Sequence, residues 1–353
     1  MSGKRSIGRF LREHAVILLF LTVTVLAIHP SGLSLVYIVQ ELITRLGRDS
    51  FLVLALLLPI YAGMGLNFGM TLGAMAGQIG LILAINYNLL GVYGLVFAAL
   101  ASLPVSLLMG YLCGVVLNRA KGREMVTGYI LAFFVNGIYQ FVVSRGYGIR
   151  NTLNLDGVRQ SLDTLLAVHA GPFVLPVATF LVIAALCVFI IWFKKTKLGQ
   201  DMRAVGHDMH VADSAGVPVD RTRIIAIIIS TVLATLGQII FLQNMGNMAT
   251  YNAHDQTSFF AVAAILVGGA SVKKATIPNV FIGVVLLHAL FVVSPGAGQK
   301  LFGEAMIGEY FRQFIGYGVI AVSLVLYAWR SRREAERLRD GLRGGPAANG
   351  GSQ

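Results

Sequence analysis

The stretch Lys194–Arg223, KKTKLGQDMRAVGHDMHVADSAGVPVDRTR, is the longest polar interruption in a chain that is otherwise almost entirely apolar. Six of its residues are basic: Lys194, Lys195, Lys197, Arg203, Arg221 and Arg223. None of it is apolar enough to cross a bilayer, so hydrophobic segments on either side must be joined by this one polar arm. Its middle is more than a linker. Small residues recur at Ala204, Gly206, Ala212, Ala215 and Gly216, a pattern that predicts one or two short helices closed at Gly216 and stopped by Pro218. A short helix of small residues on a membrane protein is a surface that another protein can approach closely. A solvated loop between two spans is the competing reading.

Outside the arm, composition decides the class. Hydrophobic residues make up 56% of the chain and charged residues 12%, with a mean hydropathy of +0.75. Soluble domains carry roughly 25% charged residues, so this is a polytopic membrane protein. Cys113 and Cys187 both lie in apolar runs and imply neither a disulfide framework nor a metal site. Lys4, Arg5, Arg9 and Arg12 followed by Ala15–Ile28 have the outline of a signal peptide without a convincing cleavage site, and read as a retained first span. Apolar segments of spanning length fall near 13–30, 51–66, 69–89, 92–117, 125–143, 172–193, 224–244, 256–272, 275–293 and 311–329, about ten in all. Gly63, Gly65, Asn67 and Gly69 interrupt the second and third, which read as two spans or one broken span.

Basic residues test this map, because short cytoplasmic loops carry their excess. With the N-terminus inside, the inner segments hold 21 of the 28 Lys and Arg. The outer ones keep Arg45, Arg48, Arg145, Arg150, Arg159, Lys300 and Arg312. Merging 51–89 into one span would break the alternation, so ten is favoured, with both termini and the arm cytoplasmic. The net charge of +12 is then mostly topology, and nucleic-acid binding is excluded. The expected fold is all-α, with long outer loops at about 31–50 and 144–171, the second holding a short surface helix. Residues 1–330 form one transmembrane domain with its arm at 194–223, and 331–353 form a basic, flexible cytoplasmic tail.

Gly65, Gly69, Gly73 and Gly77 recur at every fourth position, GLNFGMTLGAMAG, with Gly80 following. This spacing lays small residues along one helical stripe for close packing, and also tolerates a broken helix lining a cavity. Asn67 and Gln78 flank the series. Asn136 and Gln140 share a helical face with Ser144, and Gln238 and Gln243 occupy the span after the arm. Each lines a solute path or hydrogen-bonds between helices. Gly268–Gly269 with Ser271 reads as a tight helix end. No Asp or Glu falls in the middle of an expected span, which argues against a proton-driven carrier. His288 is the one ionisable candidate there. No phosphate-binding loop, HExxH or nucleophile elbow is present, so neither nucleotide binding of that kind nor hydrolysis has visible machinery. Sodium coupling through carbonyls and hydroxyls is left open.

The segment RAVGHDMHVADSAGVPVDRTR resembles the cytoplasmic coupling loop of permease subunits of bacterial ABC importers in the simple-sugar and branched-chain amino-acid group. The matching positions are Arg203, Ala204, Val205, Gly206, Ala212, Gly216 and Val217. FFAVAAILVGGASVKKATIPNVFIGVVLLHAL is similar to a second segment of those permeases through Gly268, Gly269, Ala270 and Ser271. The sequence departs from the pattern at Asp213, at Lys273–Ala275 and at Asn67–Phe68, which bears more on substrate than on family. The resemblance implies a permease domain over 1–330, multi-pass in the bacterial inner membrane, that is not itself an enzyme. Its implied partners are a second permease, identical or different, cytoplasmic P-loop ATPase subunits, an extracytoplasmic solute-binding protein and membrane lipid. ATP and Mg would sit on the ATPase, with no cofactor or metal on this chain. Arg203, Ala204, Gly206, Asp208, Ala212 and Gly216 would form the ATPase-coupling surface. Asn67, Gln78, Asn136, Gln140 and Gln238 would lie along the substrate pathway. A monosaccharide is the first substrate choice, a nucleoside the second and a branched-chain amino acid the third. A sodium-driven carrier and a non-transport scaffold are the rivals.

Overall fold

In hydrocarbon a chain can satisfy its backbone polar groups only within helices or closed barrels. The computed structural model describes residues 15–147, 152–304, 306–314, 317–318, 320–322 and 325, and they are predominantly helical. The N-terminal basic segment, much of the expected span 311–329 and the tail 331–353 lie outside the described residues.

Helix α1 spans Ala15–Ser31, α2 Leu35–Leu54 and α3 Leu57–Tyr61. A single 3-10 turn, Phe68–Met70, leads into α4, Thr71–Asn86. Then follow α5 (Gly91–Arg119) and α6 (Glu124–Tyr147). The segment between α6 and α8 holds β1 (Thr152–Asn154), α7 (Ser161–Leu165), β2 (Ala167–Ala170) and β3 (Phe173–Pro176). After α8 (Val177–Phe193) come the arm helices α9 (Lys197–His207) and α10 (Met209–Ser214). The chain continues through α11 (Val219–Met245), β4 (Asn247–Ala249), α12 (Thr257–Val267) and α13 (Ile277–Phe302).

Among the described residues, five helices are long and apolar enough to cross a membrane: Phe68–Asn86, α5, Glu124–Gly146, α11 and α13. Joining α8 to α9 across their 75° bend makes six. The expected spans at 13–30 and 256–272 are shorter helices, Val16–Ser31 and Thr257–Val267.

Three expectations need correcting. Residues 31–50 form no loop, because α2 starts at Leu35 with Ser34 as N-cap, its Oγ accepting from the Tyr37 amide at 3.2 Å. Its charges hid the helical period and are paired along the helix, Arg45 to Glu41 at 3.0 Å and Arg48 to Asp49 at 3.0 Å. The architecture is not purely α. Antiparallel β1–β4 pairs Thr152 with Ala249, and the β2–β3 hairpin turns at Gly171. Nor do the four glycines share one helix stripe. Gly65, at φ +71°, lies in the break before α4 and Gly69 in the 3-10 turn, whereas Gly73 and Gly77 lie within α4.

The central helix is α11, packed by α4 and α5 on one side and by α2 and α3 on the other. Glycine sets those distances. A Cβ on Gly73 would lie 2.2 Å from the Thr231 carbonyl, and one on Gly77 2.7 Å from the Thr235 carbonyl. Such contact allows Thr235 Oγ1 to donate to the Gly73 carbonyl at 2.9 Å. On the other flank, α13 packs against α1, α2 and α12. The expected helix end after α12 is present, with Gly268 as C-cap and Gly269 at φ +85°. By contrast α5 and α6 expose large apolar side chains, among them Leu100, Leu108, Ile130, Phe134 and Phe141.

The segment between α6 and α8 is tied down by polar groups. Asp163 of α7 accepts from Thr179 Oγ1 at 2.5 Å, Gln243 Nε2 at 3.1 Å and Asn244 Nδ2 at 2.8 Å. Gln243 is thus an anchor for this segment. His288 of α13 pairs with Asp49 of α2 at 3.1 Å. An acidic group therefore does sit in the helical body, which the reading of 31–50 as a loop concealed.

Candidate functional site

Two regions of the molecule carry organised polar chemistry: the arm α9–α10, and a buried network between α4, α6 and the 250–257 turn.

The arm starts at Thr196, whose side chain caps α9 by accepting from the Gly199 amide at 3.2 Å. Gly199, Met202 and Val205 are its buried face, spaced three apart as one stripe of a helix requires. Asp208 then ends α9 and caps α10, its Oδ1 accepting from the His210 amide at 2.8 Å and the Val211 amide at 3.1 Å. Those backbone donors hold the Asp208 carboxyl below the ordinary aspartate range. Gly216 at φ +81° closes α10, and Pro218 precedes α11. The two short helices and their stop stand where the sequence puts them.

The six arm residues divide by environment. Arg203, Ala204, Asp208 and Gly216 are exposed. Ala212 is buried against Val205 and Val219. A Cβ on Gly206 would meet the Tyr61 carbonyl at 2.1 Å, and one on Gly63 would meet Gly206 Cα at 2.8 Å. Gly206 and Ala212 therefore seat the arm on its own bundle. A second fastening came from residues the sequence did not single out. Arg223, the largest fully buried side chain, forms an ion pair with Glu124 at the first position of α6. Beside it Lys121 bridges Asp220 at 2.7 Å. The arm is seated on the break after α3, and the start of α11 that follows it is bolted to α6.

Gln78 lies within α4 and is fully buried. Its Oε1 is 2.7 Å from the Tyr139 hydroxyl and 3.0 Å from His254 Nδ1. His254 Nε2 is 3.0 Å from Asn136 Oδ1. Asn136 in turn donates to Asp255 Oδ1 at 3.2 Å and accepts from Gln140 Nε2 at 3.2 Å. Gln238 of α11 steadies the same turn, donating to the Ala253 carbonyl at 3.2 Å and accepting from Thr257 Oγ1 at 3.0 Å. Four of the five expected pathway residues thus converge. Asn67 does not join them. It is buried in the break before α4 and donates only to Ser230 Oγ, at 3.4 Å.

This network has spare capacity. A neutral imidazole donates from one nitrogen only, yet both His254 nitrogens face amide oxygens. Gln78 Nε2 is buried without a partner among the described residues, and such a group costs about 1–3 kcal/mol. A cavity of about 230 Å³ adjoins Asn136 and Asp255, with Thr71 and Ser258 on its wall. Its apolar side is aromatic: Tyr129 and Phe259 have ring centroids 5.2 Å apart and Phe259 and Tyr317 5.6 Å. Carboxylate, amide and hydroxyl groups facing aromatic rings suit a small neutral solute with several hydroxyls. Tyr139, His254 and Asp255 were missed. The signal was the polar run TYNAHDQ, residues 250–256, between two apolar helices.

Over residues 19–326 the chain matches the family described as branched-chain amino acid transport system / permease component. It is similar to the xylose/arabinose import permease protein XylH of Sulfolobus acidocaldarius, 27% identical over 250 residues that cover 69% of this chain and 64% of that protein. It is also similar to the L-arabinose transport system permease protein AraH of Escherichia coli, 25% identical over 228 residues that cover 64% of this chain and 63% of that one. Against these two the chain spans less than two thirds of the relative's length. The galactose/methyl galactoside import permease protein MglC of Salmonella typhimurium is 26% identical over 355 residues, covering 94% of this chain and 98% of the relative. No solved structure matches the chain.

Proposed function

Because the chain belongs to this permease family, we propose that it is the transmembrane subunit of an ATP-driven importer of a small polar solute. The observation that carries the reading is the exposed two-helix arm, seated on the bundle by Gly206 and Gly63 and leading into α11, whose first turns are pinned to α6 through Arg223 and Glu124. In this mechanism a cytoplasmic P-loop ATPase binds ATP and Mg, and this chain performs no catalysis. ATPase closure moves α9–α10 as a unit, with Arg203, Ala204, Asp208 and Gly216 on its outer side. Gly206 and Ala212 keep that unit on the bundle. The motion passes to α6, which carries Asn136 on the wall of the cavity and Gln140 hydrogen-bonded to it. Exchange of partners among Gln78, Asn136, His254 and Asp255 then opens hydrogen-bonding groups to a solute.

The full reading places about ten crossings in a bacterial inner membrane, with both termini and the arm cytoplasmic. A second permease, identical or different, covers the exposed face of α5 and α6, and a solute-binding protein delivers substrate from outside. A monosaccharide heads the substrate order, then a nucleoside, then a branched-chain amino acid. The sugar names of the relatives and the hydroxyl-suited cavity favour that order. The test is purification of the tagged protein from its own membranes in mild detergent. A P-loop ATPase in near-stoichiometric amount is expected, and a clean chain across several detergents would refute the proposal.

A further inference from the structure

Where α8 ends against α9 and the turn before α13, an open cleft of about 980 Å³ is lined by Lys194, Lys195, Arg203, Lys273 and Lys274 and, among the described residues, by no Asp or Glu. Lys194 Nζ lies 4.4 Å over the Tyr61 ring. Burial, with Arg203 beside it, holds the Lys194 amine below the usual lysine range. Lys194, Lys195, Arg203 and Lys274 alone gather four like charges around one cleft, which repel each other and draw in a counter-anion.

Helix α8 indicates which anion. Leu181, Val188, Ile191 and Trp192 are half or more exposed along it. This apolar stripe runs straight into Lys194 and Lys195, and Ile60 and Ile191 line the cleft beside the basic groups. A free phosphate would use the cationic half alone, and an acidic protein surface would leave the stripe uncovered. An amphiphile with a phosphate head uses both: acyl chains lie along α8 and the phosphate sits among the lysines. Trp192 sits at the junction, where an indole favours the boundary between hydrocarbon and headgroups.

We propose that this cleft binds the headgroup of an anionic phospholipid. The assignment stands whether or not an ATPase docks on the arm. Since Arg203 belongs to α9, an occupied cleft ties the arm to the 271–276 turn.

The test uses Trp192 as reporter in the full chain, with the other tryptophan, Trp329, replaced by Phe. The protein is placed in bilayer discs of phosphatidylcholine containing either brominated phosphatidylglycerol or brominated phosphatidylcholine. Quenching is expected at roughly tenfold lower mole fraction of the glycerol lipid, since each basic residue near an anionic surface adds to attraction. Lys195→Gln/Lys273→Gln/Lys274→Gln should abolish that preference. Lys195→Arg/Lys273→Arg/Lys274→Arg should keep it, which separates lost charge from lost folding. Equal quenching by both lipids would overturn the proposal, as would a preference that survives the glutamine variant. Displacement by millimolar inorganic phosphate would reassign the cleft to a soluble anion. Displacement by a co-purified protein other than an ATPase would reassign it to that partner. Either result would overturn the lipid assignment.

Discussion

The arm and the buried amide network are built by opposite means. In the arm, caps, turns and side-chain stripes are all set within about thirty residues, and its outer face is left to solvent. The network closes only when α4, α6, α11 and the 250–257 turn meet, and its members have buried atoms without partners. A docking element must hold its shape before its partner arrives, so it is over-determined locally. A solute path must exchange hydrogen bonds with what passes, so full internal satisfaction would close it.

The largest effect that would break this contrast is expected at the pin between the regions. Glu124→Ala leaves the Arg223 guanidinium buried and uncompensated, and should cost about 3–5 kcal/mol. Thermal unfolding of the purified protein reads it, and wild-type stability would mean that the arm is held by other contacts. Next comes Gly206→Val, where a Cβ would lie 2.1 Å from the Tyr61 carbonyl. Overpacking of that kind costs about 1–3 kcal/mol, and the same unfolding assay should show it. A network substitution should behave differently. Gln78→Leu should reduce solute uptake on the order of tenfold or more while stability falls by about 1 kcal/mol or less, because it also removes an orphaned donor. Equal loss of both would make Gln78 a packing residue.

Asp208 sharpens the arm's side of the comparison through pH. Its pKa is depressed in the folded chain, so its cap is present above the unfolded aspartate value and lost as pH falls through the lower folded one. Hydrogen exchange at 209–214 should therefore accelerate only in that acid window, and in Asp208→Ala already at neutral pH. The smallest effect is expected at Lys121→Ala. Its bridge to Asp220 is about half exposed, and such pairs contribute about 0–1 kcal/mol.

The same contrast accounts for what the sequence disclosed. Gly216 and Pro218 act on neighbours a few residues away, so their meaning was local and readable; the caps at Thr196 and Asp208 are equally local but were seen only in the structure. The helix end at Gly268–Gly269 was legible for the same reason. Asp49 was not, because its partner His288 is on a distant helix, and α2 conceals its charges by pairing them along one face. Arg223 was counted among the basic residues of the polar arm and proved to be buried against Glu124, since burial depends on packing that no window of sequence contains. Asn136 and Gln140 were visible as a polar face on one helix. That His254 completes them is a fact of tertiary structure.

The account rests most heavily on the arm being a docking element. Its most direct test is a photo-cross-linking residue at Val211, which is 65% exposed on α10, compared with one at Val168 on the outer hairpin, which is 50% exposed. In native membranes the account predicts an adduct with a P-loop ATPase from position 211 and none from 168. An ATPase that co-purifies with the chain yet gives no adduct at 211 would contradict it.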